Sequence, residues 1–178
     1  MIGARRSYGG PGGLDPMLLL GLVLLLYGFF RGGLVSPVQR AADDPLGFVA
    51  FMIAIVLGIT VHEFMHAYTA HRLGDDTARL LGRLTLNPIA HLDPFGFLLL
   101  ILAGFGYGKP VPFNESRLRS ALGVTLVAIA GPIANLALAA LCAIPLRFGA
   151  AAALGSVYAE ILFAIVTWNC VLAIFNLV

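Results

Sequence analysis

Long apolar blocks alternate with short polar ones along this chain, and the block lengths set the elements to be expected. Apolar runs cover roughly residues 16–30, 46–73, 95–105, 120–146 and 157–178. The hydrocarbon core of a bilayer is about 30 Å thick and is crossed by a helix of about 20 apolar residues. The second, fourth and fifth blocks meet that length. The first is short and reaches it only by extending through Gly32 to Val35, after which residues 36–45 form a polar connector. The block at 95–105 is too short to cross and predicts a re-entrant or partly buried segment. Between Gly74 and Asp93 the chain turns polar, and the short pattern at 80–86 predicts a hairpin at the interface. Gly106-Tyr107-Gly108-Lys109-Pro110-Val111-Pro112 is irregular, as backbone at membrane depth can be only beside protein or a wet cavity. It reads either as a substrate groove or as a plain interfacial loop.

The expected fold is therefore all-α: a polytopic transmembrane bundle of four to five membrane segments with a short interfacial β-hairpin. Residues 1–15, rich in glycine, form a disordered tail, and 16–178 form a single transmembrane domain.

Composition sharpens this. Of 178 residues, 60% are hydrophobic and 11% charged, far from soluble domains. Ten of the eleven basic residues are arginine, and the net charge of +2 is scattered between apolar blocks, so no basic stripe points to nucleic acid. Basic residues are nearly balanced between alternate loops, which leaves the orientation open. Cys142 and Cys170 fall in apolar runs, where a thiol packs as a small hydrophobe. No small-residue cleavage site follows the first apolar block, which predicts a retained span rather than a signal peptide.

Within the second span lies His62-Glu63-Phe64-Met65-His66. Two imidazoles four positions apart on a helix share a face, one turn apart, and both can reach one zinc ion at about 2.0–2.1 Å. Glu63 is rotated off that face and is suited to act on a water as general base. A surface helix could carry these polar residues idly, but an ionisable side chain at the bilayer centre costs on the order of 3 kcal/mol on insertion scales. Three within five residues require a bundle interior, a wet cavity or a metal. At 1.5 Å per residue His62 lies about 24 Å into its span, nearer one face than the midplane.

Other polar residues in apolar surroundings are candidates too. Pro132 in Gly131-Pro132-Ile133-Ala134-Asn135 removes a backbone donor, and Gly131 permits close approach of another backbone. Asn169 and Asn176 need partners in a span, from the site or from a neighbouring helix. His71 lies about 180° from the His62 face. Asp93 before Pro94 has the form of a helix cap.

These segments together resemble the site-2 protease family of intramembrane zinc metalloproteases. The pentad followed by Ala67-Tyr68, Leu86-Asn87-Pro88-Ile89-Ala90-His91-Leu92-Asp93-Pro94-Phe95-Gly96, Gly108-Lys109-Pro110-Val111-Pro112 and the Gly131 to Asn135 segment are similar to motifs of its small bacterial subgroup, which lacks a PDZ domain. The resemblance covers about residues 46–178. It implies a multi-pass protein of the bacterial cell membrane that cleaves transmembrane protein substrates with zinc. Carried over by position, His62 and His66 are ligands and Glu63 is the base. Asn176 is similar to the asparagine that opens the family's second motif and contacts substrate or the developing oxyanion, a role for which Asn135 is the other candidate. In the family that motif continues to a Leu-Asp-Gly whose aspartate is the third ligand, whereas this sequence stops at Val178. A truncated chain is the preferred reading. A non-proteolytic binding or scaffold relative and a rewired site that borrows Asp93 or His91 are the others. Neither the substrate nor the oligomeric state is legible.

Overall fold

The computed structural model describes residues 41–104, 106–149, 153 and 155–177. All of them fall in one compact unit, Ser36–Val178; the expected first span and the tail lie outside the described residues. Among the described residues three helices are long and apolar enough to cross a membrane: α1 (Pro45–Arg72), α4 (Gly123–Arg147) and α5 (Ser156–Phe175). Two shorter ones, α2 (Thr77–Leu80) and α3 (Pro94–Ala103), fall between α1 and α4.

Each long helix packs against the other two, and each does so through a stripe at four-residue spacing. On α1 the buried residues include Ala50, Ala54, Gly58, His62 and Ala70. On α4 they include Gly123, Val127, Gly131, Asn135 and Ala139, and on α5 Ile165, Asn169 and Ala173. Positions four apart lie on one helical face, and small residues there let helix backbones approach closely without the hydrophobic drive that water would supply. Gly58 shows how close: a Cβ at this position would lie 2.7 Å from Leu172 Cδ1 and 2.9 Å from Asn169 Oδ1. The opposite faces carry exposed residues such as Ile53, Leu141 and Phe163, as helices facing lipid should. Helix α4 runs through both Pro132 and Pro145.

The start of α1 is set by Asp44, whose Oδ1 accepts from the Gly47 N–H at 2.9 Å, followed by Pro45. Past its end, Gly74 adopts φ +105°, a turn only glycine makes without strain. Asp75 follows, fully buried. Its carboxylate accepts from the Thr77 hydroxyl at 2.5 Å and the Asn114 N–H at 2.6 Å, tying the α1 exit to the distant loop before α4. His71, expected away from the His62 face, pairs with Asp76 at 2.5 Å.

The hairpin expected at 80–86 does not form: this stretch holds the end of α2 and turns, and no strand occurs among the described residues. Gly82 turns the chain with φ +70°, and Arg83 leads it inward rather than back along itself. The short apolar segment forms a helix whose flanking residues come back together. Asp93 caps α3 through Oδ1, which accepts from Phe95 and Gly96. The ten-residue helix spans about 15 Å, half a hydrocarbon core, and ends at Gly104. The chain then returns to its starting level, where Leu92 and Gly108 form an antiparallel bridge.

Candidate metal centre

His62 and His66 continue the α1 stripe and face α4 at Gly131. A Cβ on Gly131 would lie 2.6 Å from His62 Nε2 and 2.6 Å from His66 Nε2. The two ring nitrogens thus come together against Gly131, an approach that any side chain there would prevent. The rings stand 4.6 Å apart, nearly perpendicular at 84°. His66 Nδ1 lies 2.6 Å from the Val127 carbonyl oxygen. A carbonyl only accepts, so Nδ1 carries the proton and Nε2 presents a lone pair, the tautomer that a metal requires. His62 is 7% exposed, and its Nδ1 has no protein partner.

Glu63, next to this pair, is held from outside its own helix. Its Oε2 accepts from the Val111 N–H at 2.9 Å, which leaves Oε1 free. Val111 belongs to the segment returning from α3, whose other contacts are equally specific. The Lys109 N–H donates to His91 O at 2.8 Å, and Arg83 Nη2 donates to the carbonyls of Lys109 and Pro110. His91 is fully buried with Nε2 2.7 Å from Thr85 O. It therefore supports the backbone of this segment.

A cavity of about 600 Å³ opens beside the pentad. His62, Glu63, Asn135 and Asn176 put polar groups on it, while Ile55, Trp168 and other apolar side chains form most of its wall. Asn135 sits one turn beyond Gly131 on the same face of α4, fully buried, and neither end of its amide has a protein partner. Asn176, at the exposed end of α5, donates from Nδ2 to Leu172 O at 2.7 Å. Asn169 bonds Ile165 O within its own helix at 2.9 Å.

Zinc suits the pair of imidazoles brought together at Gly131, one of them tautomerically fixed. A catalytic zinc takes three protein donors and a water. Among the described residues no group of three His, Cys, Asp or Glu side chains comes together. Asp93 serves as a helix cap and His91 as a backbone anchor. Sequence reasoning missed Val127, Val111 and Arg83 as contributors. The first two act through backbone atoms, which composition hides. Arg83 carried a signal, being a charge in an otherwise apolar pattern.

The model of peptidase family M50 matches residues 50–150. A protein of Bacillus subtilis named "Putative zinc metalloprotease YwhC" is 50% identical over 97 residues, 53% of this chain and 44% of that protein. Proteins named "Putative zinc metalloprotease Rip2" from Mycolicibacterium smegmatis and Mycobacterium tuberculosis H37Rv are each 33% identical over 119 residues, 62% of this chain and 46% of theirs. The chain thus spans about half the length of the curated relatives it matches. No solved structure matches it.

Proposed function

Given that this chain belongs to peptidase family M50, the site-2 protease family, we propose that it is an intramembrane zinc metalloprotease that hydrolyses peptide bonds in or beside the membrane-spanning segments of other proteins, in a bacterial cell membrane. The observation that carries this reading is the approach of His62 Nε2 and His66 Nε2 to one another against Gly131, with Glu63 at hand on a mainly apolar cavity.

His62 and His66 would hold the metal. When bound, zinc polarises a carbonyl and lowers the pKa of water. The remaining work falls to the protein. Glu63, fixed through Oε2, uses Oε1 to take a proton from the attacking water as its oxygen bonds the scissile carbonyl carbon. It then delivers that proton to the amide nitrogen as the C–N bond breaks, which yields a carboxylic acid and an amine. Asn135 Nδ2 has no protein partner and can donate to the carbonyl oxygen as negative charge develops there. The apolar wall receives the side chains of a membrane segment and keeps bulk water from the cleft. A helical substrate must unwind locally to expose a carbonyl, and the irregular segment at 106–112 borders the place where this would occur.

The test is cleavage of a model transmembrane substrate by the full-length protein in detergent or liposomes. Glu63→Gln should reduce kcat by a factor of about 10² to 10⁴, the usual worth of general base catalysis, with zinc still bound. Unchanged activity in this variant would overturn the assignment.

A second reading, a membrane-embedded binding or scaffold protein without hydrolytic activity, is favoured by one observation: no third ligand accompanies His62 and His66 among the described residues. It requires capture of a membrane protein partner with no cleavage even when zinc is supplied. Zinc-dependent turnover abolished by Glu63→Gln excludes it.

A further inference from the structure

The segment from Lys109 to Pro112 has few backbone donors, and each is committed. Pro110 and Pro112 have no N–H. Of the two N–H groups from Lys109 to Pro112, that of Lys109 goes to His91 O and that of Val111 to Glu63 Oε2. On the acceptor side, the carbonyls of Lys109 and Pro110 are both taken by Arg83 Nη2. Arg83 is 7% exposed, the one buried cation among the described residues, and its Nε has no protein partner. Burying a guanidinium is costly unless its donors are used. Here the gain is a fixed path for this segment, whose Val111 N–H is thereby aimed at Glu63.

We infer that Arg83 is a positioning residue for the hydrolytic reaction: it clamps the strap from Gly108 to Pro112 so that the Val111 N–H holds the Glu63 carboxylate in its working orientation. The inference rests on the reading of Glu63 as general base. Arg83 does not line the cavity beside the pentad. It acts through two carbonyls, one peptide unit and one N–H, and the two prolines stiffen this path by fixing φ at their positions. A guanidinium can serve two carbonyls from one planar group, whereas an ammonium is a point donor. Lysine at this position should therefore recover only part of the effect.

The experiment uses the full-length protein with a transmembrane model substrate. It follows kcat, KM, zinc content and amide hydrogen exchange across residues 106–114 in the wild type, Arg83→Gln, Arg83→Lys and Val111→Pro. Arg83→Gln should lower kcat about ten- to a hundredfold, the scale of a small misplacement of a catalytic group, with KM within about twofold and zinc content unchanged. Val111→Pro deletes the donor without touching Arg83 and should give the same pattern. Arg83→Lys should fall between. Lys109 and Val111 amides should exchange at least about tenfold faster in Arg83→Gln. In the Glu63→Gln background, Arg83→Gln should cost little more, since groups acting as one unit are not additive.

Unaltered exchange at Lys109 and Val111 in Arg83→Gln overturns the inference. So does a kinetic loss that multiplies in full with that of Glu63→Gln, or one confined to KM. A protein that binds zinc but cleaves nothing defeats the proteolytic reading instead, and the exchange measurement then decides the clamp by itself.

Discussion

His66 Nδ1 meets the carbonyl oxygen of Val127 at 2.6 Å, across 61 positions of sequence. This bond joins α1 to α4 at the level of the pentad and sets which ring nitrogen is free. His66→Ala should therefore strip zinc from the purified protein, while His71→Ala, which removes one partner of Asp76 and leaves Arg79, should leave zinc content unchanged. Metal analysis after dialysis against a weak chelator distinguishes them. Equal loss in both variants would remove the assignment of His66.

Gly131 provides the room between the two imidazoles. In Gly131→Ala the new Cβ would lie 2.6 Å from both Nε2 atoms and would force the two rings out of their places. Alanine is a better helix former than glycine by about 1 kcal/mol, so the helix itself should not suffer. Zinc affinity should fall at least about tenfold while helical circular dichroism is retained. A zinc titration of the variant that overlays the wild type would refute this.

The contact between α1 and α5 at Gly58 is tight in the same sense. Gly58→Ala would press on Leu172 Cδ1 and Asn169 Oδ1. Leu172 can swing aside, but Asn169 is fully buried. Overpacking of this kind costs about 1–3 kcal/mol, and the variant should unfold at lower temperature in detergent. Gly149→Ala is a poor control, since Gly149 has φ +73°; Val157→Ala, at a half-exposed site, is a better one. An unchanged unfolding temperature in Gly58→Ala would show that the helices part without cost.

Asp75 supplies a dependence on pH outside the membrane segments. Burial pushes its carboxyl up, but hydrogen bonds from the Thr77 hydroxyl, the Asn114 N–H and the Thr77 N–H outweigh this, and the result lies below the usual carboxylate range. A depressed folded-state pKa means that the stabilisation is fully present above the unfolded value of about 3.9 and is lost as pH falls through the lower folded value. Asp75→Asn should be less stable than wild type near neutrality by about 1–3 kcal/mol, the cost of leaving buried donors poorly paired. The gap should narrow below about pH 4. Unfolding temperatures from pH 3 to 7 for both proteins test this, and a gap independent of pH would contradict it.

The three long helices were legible to within a few residues. The apolar run at 46–73 became Pro45–Arg72, and 120–146 became Gly123–Arg147, because long apolar blocks leave the backbone no other way to satisfy its hydrogen bonds in lipid. The hairpin at 80–86 was misread because a short alternating pattern does not show where its backbone bonds go. Leu80, Leu81 and Leu86 are all well exposed, so the alternation marks no buried face. The shared face of His62 and His66 was legible, while the packing that surrounds it was not.

The sequence by itself determined the membrane-spanning helices, the shared face of His62 and His66, and the cap at Asp93, since each depends on neighbours within a turn or on block length. Only the tertiary structure decided the rest. It set the tautomer of His66 through Val127, brought both imidazoles against Gly131, and joined Arg83 to the Lys109 carbonyl and Val111 to Glu63 across 26 and 48 positions. It also left Asn135, rather than the self-bonded Asn176, with a free amide beside the pair. These relations join backbone atoms and side chains far apart in the chain. Residue types and spacing do not encode such distances; packing of one helix against another fixes them.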